Sequence, residues 1–557
     1  MNYSHRAALA LLTTCVWATG LPLAGNAAVY NVINLLDSGA GSLRDAINQA
    51  EATPEADQIN FQVGGTLDVG SIFPTVTTEF SISSNGFNVI LDGTSAANRA
   101  FTIDPGGNLS LSSFTLQNFA SGASSGGAIN VNGGTFSVSG STFTDNVTDR
   151  TGGAIRIGSN GSATINTSVF TNNDGLQGGA IAMSTGSLLL TNSQITNNTA
   201  SLRLFGAAGL AGGISAFGAP NITIQNSDIS NNTGERSNGG IFIQGGTLDI
   251  DDSSINNNES QGSGEDGGGL QIASGAQVTI TDSEINDNTA ASGSRGGGIH
   301  AQTGGTSVTI ERTTIDGNTA DGGGGINVAE ADLTVIQSTI SNNDALNGGG
   351  GGISAASGDE DATRNTVIVE NSTISGNTSS LGGGGLIVSA GASGEIDSST
   401  IADNDSGSAN GGGLRFSTEF DSTFEVQNSI FSGNIANGAT NTIGGGESVD
   451  SGGHNLFDDD GGGIIASVGD LFNADADLQP LADNGGPTFT HALGALSDAI
   501  DTGSTSLGTD QRGYLRPVSQ QDIGAYEFGA PIPEPTTYAL LTSLVVLSMV
   551  ILRRRCA

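Results

Sequence analysis

Five acidic residues from three consecutive sequence repeats are the best candidates for chemistry in this chain. They are Asp228, Asp251, Asp252, Asp282 and Glu284. Carboxylates that neighbouring repeats bring together can bind calcium or polarise a sugar. A solvated acidic face is the simpler interpretation, because the chain has 55 acidic residues. We therefore expect loosely bound calcium at most, with no dedicated metal site and no cofactor.

Polysaccharide cleavage would need an acid and a base that flank the scissile bond, on outward positions of adjacent repeats. The outward row after the recurring glycine pairs contains no carboxylate: it reads Asn130, Arg156, Ala182, Ser215, Phe242, Gln271, His300, Asn327, Ser354, Ile387 and Arg415. His300 stands alone in this row, and we expect a surface histidine. The sequence thus predicts no catalytic residue, and a lyase or hydrolase on the same scaffold is the alternative.

The composition excludes several classes of function. All 16 basic residues are arginine, and the formal net charge is -39. Such a surface repels nucleic acid, so we predict no nucleic-acid partner. The only two cysteines, Cys15 and Cys556, lie in the terminal segments, so neither disulfides nor cysteine-bound metal can hold the fold.

The candidate residues belong to a repeat with the pattern apolar-x-apolar-x-x-Ser-x-Ile-x-x-Asn, followed by a variable polar segment and then Gly-Gly-x-Ile-x-apolar. The repeat length is about 29 residues. The recurring asparagines are Asn146, Asn173, Asn198, Asn232, Asn258, Asn288, Asn318, Asn343, Asn377, Asn404 and Asn434. Asparagine tolerates left-handed backbone angles and can hydrogen-bond its counterpart one coil along, so we expect a bend and a stacked asparagine ladder.

Within each repeat, apolar residues alternate with polar ones, as in Leu248-x-Ile250, which is typical of strands. Three short strands fit one repeat, and strands this short must stack on the next coil to bury their apolar face. The sequence therefore predicts an all-β, right-handed parallel β-helix solenoid of the pectate-lyase-like type. The paired glycines are expected to allow positive φ and close approach of the next coil.

An open solenoid end exposes strand edges and needs a cover. Near the N-terminus, Ser42 and Asp45 have capping-box spacing, and Leu43, Ala46, Ile47 and Ala50 share one helical face. This segment is predicted to form a cap helix. The surrounding "DSGAGSLRDAI" also resembles the start of many bacterial secreted β-helix proteins.

Both termini have the composition of targeting segments. Residues 1–28 contain Arg6, an apolar run and small residues around Ala27 and Ala28, as in a secretory signal peptide. A lipoprotein site at Cys15 is the less suitable alternative, because Thr14 precedes the cysteine. Residues 536–557 contain an apolar run, expected to form a tail helix, and end in Arg553, Arg554 and Arg555.

The C-terminal segment resembles the PEP-CTERM sorting signal of Gram-negative bacteria. The resemblance rests on Pro533, Glu534 and Pro535, the apolar run that follows, and the arginine cluster Arg553, Arg554 and Arg555. It implies recognition and cutting by an exosortase-type enzyme while the tail is held in the inner membrane. A plain membrane anchor is the alternative.

The region before this tail is similar to the choice-of-anchor Q domain, a bacterial module found between β-helix repeats and surface anchors. The similarity rests on "SGGHNLF", "LQPLADNGGPTFTHAL", "DAIDTG", "TDQRG" and "QDIGAYE", in this order between Ser451 and Glu527. His454 and His491 lie in these motifs, where we expect packing or hydrogen-bonding roles.

Together these features predict six regions. They are a signal peptide (1–28), an N-terminal cap with irregular coils (29–118), regular β-helix repeats (119–434), the choice-of-anchor Q-like region (435–528), a linker with the PEP motif (529–535) and the sorting tail (536–557). We expect an exported, surface-associated, non-catalytic protein, either an adhesin or a matrix component that contacts exopolysaccharide or another cell-surface glycan.

Overall fold

The chain forms a right-handed parallel β-solenoid of about 15 turns in a computed structural model. The structure describes residues 27–95, 98–158, 160–201, 210–262, 267–356, 365–389, 391–417 and 423–530. At about 4.8 Å per coil, the turns give a rod roughly 70 Å long. The predicted all-β solenoid is therefore confirmed.

The largest sheet, sheet 1, contains two successive strands of most coils. The first, which follows the glycine pair, is called the leading strand, and the second, which precedes the recurring serine, is called the middle strand. Its 28 described strands are Val29–Val32, Asp57–Phe61, Glu79–Ser83, Phe101–Ile103, Asn108–Ser112, Ile129–Asn132, Thr135–Ser139, Ile155–Gly158, Ser162–Asn166, Ile181–Met183, Ser187–Thr191, Ile214–Ala216, Asn221–Gln225, Ile241–Gln244, Thr247–Asp251, Leu270–Ala273, Gln277–Thr281, Ile299–Glu311, Ile326–Ile336, Ile353–Ala356, Thr366–Glu370, Leu386–Ser389, Ser393–Asp397, Leu414–Ser417, Phe424–Gln427, Ile443–Gly445, Val449–Gly453 and Ile464–Ile465.

Sheet 2 follows the recurring serine of each coil. Its 16 described strands are Gly65–Asp68, Val89–Asp92, Phe114–Gln117, Thr142–Thr144, Val169–Thr171, Gln194–Thr196, Asp228–Ser230, Ser254–Asn256, Glu284–Asn286, Thr314–Asp316, Thr339–Ser341, Thr373–Ser375, Thr400–Ala402, Ile430–Ser432, Leu456–Phe457 and Leu471–Phe472. The middle residue of each regular strand points inward and is buried, which builds a file of isoleucines along the core.

Sheet 3 follows the recurring asparagine. Its 11 described strands are Asp174–Gly175, Thr199–Ala200, Thr233–Gly234, Glu259–Ser260, Thr289–Ala290, Thr319–Ala320, Asp344–Ala345, Thr378–Ser379, Asp405–Ser406, Ile435–Ala436 and Ala439–Thr440. A regular coil therefore has four strands and not the predicted three. Two-residue strands are too short to show an alternating pattern in the sequence.

The eleven asparagines lie in one file, each with 0% exposure. Each backbone N–H donates to the Oδ1 of the asparagine in the next coil over 2.9–3.2 Å, along all ten steps from Asn146 to Asn434. In these ten steps, the Nδ2 group donates to that same Oδ1 and also to a carbonyl of the preceding coil, as Asn232 does to Ile195 at 2.8 Å. One amide therefore links three coils.

The left-handed backbone conformation belongs to the residue before each asparagine, which corrects the expectation that the asparagine itself adopts it. Asn231 has φ 56°, Asn257 has φ 55° and Gly317 has φ 67°. The bend therefore consists of a left-handed residue followed by a buried asparagine. Because Asn, Asp and Gly all tolerate positive φ, the preceding position varies while the ladder position stays constant.

The recurring serine forms a second internal ladder at the bend between sheets 1 and 2. Ser253 Oγ accepts a hydrogen bond from the N–H of Ser227 at 3.1 Å and donates to the carbonyl of Asp251 at 2.7 Å. The glycine pair serves the remaining corner: Gly152 has φ 74°, and a Cβ at Gly153 would overlap the carbonyl of Gly179. A different residue type therefore shapes each bend: serine between sheets 1 and 2, asparagine between sheets 2 and 3, and the glycine pair before the leading strand.

The predicted cap helix covers residues Leu43–Ala50, with Leu43, Ala46, Ile47 and Ala50 buried. Ser42 Oγ accepts from the N–H of Asp45 at 3.2 Å, and the Asp45 carboxylate accepts from the N–H of Gly41 at 3.0 Å. The N-cap serine and the buried face are confirmed, whereas the reciprocal bond of a capping box goes to Gly41 instead of Ser42, whose N–H donates to the Gly39 carbonyl.

The region after Asn434 has two parts. Residues 443–472 continue the parallel stacking. Residues 476–528 leave the solenoid and fold back along the outer face of sheet 2, where Ala476, Leu493, Ala499 and Ile523 pack on Ile430 and Leu456. We call residues 476–528 the docked segment.

The asparagine ladder predicts a large cost for removing one amide. Asn232→Ala leaves the N–H of Asn198 and the carbonyl of Ile195 without their buried partners. We expect a destabilisation of about 3 kcal/mol, because each orphaned buried group costs about 1–3 kcal/mol. Urea unfolding followed by circular dichroism measures it. The control is Asn221→Ala, an exposed asparagine of the same coil, which should change stability by less than about 0.5 kcal/mol. Equal effects of the two variants would contradict the ladder's role.

Candidate binding groove

The outward row of the leading strands stacks from coil to coil. The row from Asn130 to Arg415 is in parallel register, and its described positions include no carboxylate. His300 is 2% exposed, which contradicts the expected surface histidine. The turns before the glycine pairs fold over the row: buried Ser237 donates to the buried Gln271 side chain at 3.3 Å. His300 Nε2 lies 3.3 Å from Gln302 Oε1.

The predicted acidic residues lie instead at the bend between sheets 1 and 2. A groove of about 400 Å³ there is lined by Asp228, Asp252, Asp282 and Glu284, with serines and asparagines of the same coils. Asp251 lies outside it, at the end of a middle strand, and accepts from Thr281 Oγ1 at 3.0 Å. Four of the five predicted carboxylates therefore share one groove.

Within this groove, Asp282 is already neutralised. Arg312 Nε and an Arg312 terminal nitrogen bind the two Asp282 oxygens at 2.7 and 2.8 Å, and Arg312 also contacts Glu311. The hydrogen bond from Arg312 is the main cause that lowers the pKa of Asp282. Asp228 accepts hydrogen bonds from the hydroxyl groups of Ser230 and Ser254 at 3.0 and 3.1 Å. In the described part of the chain, no three acidic, histidine or cysteine side chains are grouped as a metal site.

A larger groove continues from the first one at Glu284, which lines both. It has a volume of about 620 Å³ and lies between sheet 2 and the front of the docked segment. Its rod side includes Asp316, Ser375 and Asp403, and its other wall includes Leu481 and Phe489, of which Phe489 is 51% exposed. The two grooves follow the rod over about seven coil spacings, which corresponds to roughly 34 Å.

Two histidines help to hold the C-terminal region in place, as their motif positions suggest. The buried His491 ring contacts the Gln479 carbonyl through Nδ1 and Ser375 Oγ through Nε2, both at 2.7 Å. Burial lowers the pKa of His491. His454 Nδ1 lies 2.8 Å from the carbonyl of Thr502. The His491 contact ties the groove wall to the rod.

Gln511 is the main polar link between the docked segment and the solenoid. It is fully buried, and its Nε2 contacts the Ser338 carbonyl at 3.1 Å and the Phe489 carbonyl at 3.2 Å. Its Oε1 accepts from Thr373 Oγ1 at 2.6 Å. Because Gln511 contacts Phe489, it also positions the exposed wall of the larger groove.

A buried charged cluster lies behind this wall. Arg512 pairs with Asp510 at 2.6 Å, and Arg516 pairs with Glu527 at 3.1 Å. Asp522 adds a third carboxylate against two guanidinium groups, and its N–H donates to Glu527. Burial is the main cause that raises the pKa of Glu527 to about 7. The cluster has three carboxylates against two guanidinium groups, so one bound proton makes it neutral. This agrees with the raised pKa of Glu527.

The sorting residues Pro533, Glu534, Pro535, Arg553, Arg554 and Arg555 lie outside the described residues, as do residues 1–26. The described helix has only eight residues, and the part of the chain that the structure covers contains no helix suited to crossing a bilayer.

Comparison with known proteins supports the fold but assigns no function. Residues 127–315 match the family described as "Right handed beta helix region". No curated protein matches the chain. The scaffold is therefore supported by the family comparison as well as by the structure, while the function has to be argued from the grooves.

The docked segment should depend on Gln511. Gln511→Glu places a carboxylate against the carbonyls of Ser338 and Phe489 and should release the segment. Since the chain has no lysine and Pro517 blocks cleavage after Arg516, trypsin can cut this segment only after Arg512, which is 7% exposed. We expect at least tenfold faster cleavage there, measured by mass spectrometry. Gln520→Glu, at an exposed position of the same segment, is the control. Equal cleavage rates would contradict the docking role.

The charged cluster should make docking pH-dependent. The pKa of Glu527 is about 7 in the folded protein, above its ordinary value of 4.5. Between these pH values the folded chain keeps a proton that the unfolded chain has released, so stability falls as pH rises through the interval. Tyr514 and Tyr526 lie against Arg512, so tyrosine fluorescence during urea unfolding reports on the cluster. We expect a lower midpoint at pH 8 than at pH 5, and a flatter profile in Glu527→Gln. A midpoint that rises with pH would contradict this assignment.

Proposed function

We propose that this protein is an exported, surface-associated, non-catalytic protein that holds an extended, uncharged glycan of the extracellular matrix along the continuous groove. The observation that carries the proposal is the groove itself, which runs parallel to the rod across consecutive coils. Each coil contributes hydroxyl, amide or carboxylate groups at the repeat spacing of the strands. Such a surface can hydrogen-bond the successive hydroxyl groups of a polymer.

The chemistry of the groove favours an uncharged glycan over an acidic one. Asp228, Asp252 and Glu284 have no described ion pair, so a polyanion would meet repulsion. Carboxylates accept hydrogen bonds from sugar hydroxyls, and the exposed Phe489 ring offers an apolar face to a sugar ring. The export step and the exosortase-type partner are part of the proposal, because they rest on the resemblance of the terminal segments.

A glycan-cleaving enzyme is the second candidate, because carboxylates of three neighbouring coils line one groove. A hydrolase needs one carboxyl group that stays protonated as the general acid. Asp282 is unsuited to this role, because Arg312 lowers its pKa. We therefore favour binding without turnover.

Calorimetry with the purified full chain and neutral matrix oligosaccharides tests the binding proposal. Glu284→Gln changes the carboxylate where the two grooves meet, and should weaken binding about tenfold, since a hydrogen bond to a charged group is worth about 1.5 kcal/mol. The control is Glu259→Gln, an exposed position on sheet 3. Phe489→Ala should also weaken binding. Unchanged affinity in both groove variants would contradict the proposal.

The same samples separate binding from cleavage. We expect no new reducing ends and no unsaturated sugars after prolonged incubation with neutral or acidic polysaccharides. Turnover that Glu284→Gln or Asp228→Asn abolishes would replace the binding proposal with the enzymatic one.

A further inference from the structure

The leading strands carry a small hollow on a face that the groove does not use. In their outward row, Arg156 is followed one coil later by Ala182, the smallest side chain at that position. The space above Ala182 is a hollow of about 90 Å³, bounded by Arg156 on one side and Phe217 on the other. Ser184 lies between them, on the coil of Ala182.

Polar side chains from the turns complete the hollow. Thr151 and Gln177 belong to consecutive turns that are paired by an isolated β-bridge, and both line the space. The aromatic wall is held in place from behind, since the ring centroids of Phe217 and Phe242 are 5.0 Å apart. Phe242 is 7% exposed, whereas Phe217 is only half-buried.

Arg156 is held at the hollow without a carboxylate partner among the described residues. Its one described hydrogen bond goes from a terminal nitrogen to Asn130 Oδ1 at 3.2 Å. Its guanidinium lies over Gly158, where a Cβ would overlap it. By contrast, Arg44, Arg312, Arg512 and Arg516 each bind a carboxylate. Arg156 therefore retains N–H donors for a ligand.

A second arginine adds to the positive charge. Arg99 is half-buried, and its pKa is lowered first by burial and then by the nearby charge of Arg156. Two like charges are thus close together in a chain with a net charge of -39, where carboxylate partners are abundant. A bound anion would relieve their repulsion.

We propose that this hollow binds the carboxylate of an acidic sugar, a uronate unit of a glycan. The flat carboxylate matches the guanidinium fork of Arg156. Thr151, Gln177 and Ser184 offer hydroxyl and amide groups to the sugar hydroxyls, and the Phe217 ring offers a surface to the sugar C–H face. The site is independent of the groove and of the function proposed for it. It gives the rod a contact for acidic glycans that the acidic groove repels.

Calorimetry with the purified full chain and a glucuronate trimer tests the site. Arg156→Met keeps the length of the side chain and removes its charge, and should weaken binding at least tenfold, as expected for a lost charge-assisted pair. The matched control is Arg150→Met, which removes one exposed arginine from the neighbouring turn and should change affinity less than twofold. Ala182→Met, which fills the hollow, should also abolish binding.

Two further ligands define the class that is bound. A glucose trimer should bind at least tenfold more weakly at this site, and inorganic sulfate should bind weakly and without any effect of Phe217→Ala. Glucuronate binding that is unchanged in Arg156→Met, a glucose-trimer affinity that falls as much as the glucuronate affinity in Arg156→Met, or equal affinity for sulfate would overturn the assignment. Because Glu284→Gln should leave glucuronate binding unchanged, the result does not depend on the outcome for the groove.

Discussion

The stacked amide of the recurring asparagine is the interaction on which the solenoid depends. Each coil has only short strands. Apart from Ile299–Glu311 and Ile326–Ile336, in which a leading strand runs on into a middle strand, no described strand exceeds five residues. Such strands cannot fix their own register. The asparagine fixes the register of each coil, because its Oδ1 and Nδ2 connect the coil before it with the coil after it. A slip of one residue would leave several buried amide groups without partners, at a cost of a few kcal/mol per coil.

Regular stacking places residues at the same position of successive repeats side by side, so that they form a continuous surface. Because equivalent positions of successive coils lie in files, a carboxylate at one corner in several repeats becomes the lining of a groove. The same rule produces the opposite charge elsewhere, where Arg156 precedes the small Ala182 in the leading-strand row. One scaffold can therefore present an acidic groove and a basic hollow on different faces.

The sequence is sufficient for those features that the repeat determines. The asparagine file, the solenoid class and the Ser42 cap follow from spacing and residue type, since these contacts join equivalent or nearby positions. The burial of His300 did not follow, because it depends on how the turns before the glycine pairs cover the row. The left-handed residue before each asparagine was also missed, although the recurrence of Asn, Asp or Gly at that position was a usable signal.

The docked segment marks the limit of what periodicity can predict. Gln511 contacts Ser338 across 173 positions, and no repeat relates the two residues. The larger groove is therefore not predictable from the repeat, although the sequence motif that contains His491 supplies one of its lining residues. Amide hydrogen exchange of the full chain tests whether the stacked asparagine amides hold the coils together. We expect the backbone N–H groups of the ten donating asparagines, from Asn146 to Asn404, to exchange as slowly as those of the buried isoleucine strands. Fast exchange at the asparagines beside protected strands would show that the amide file does not hold the coils together.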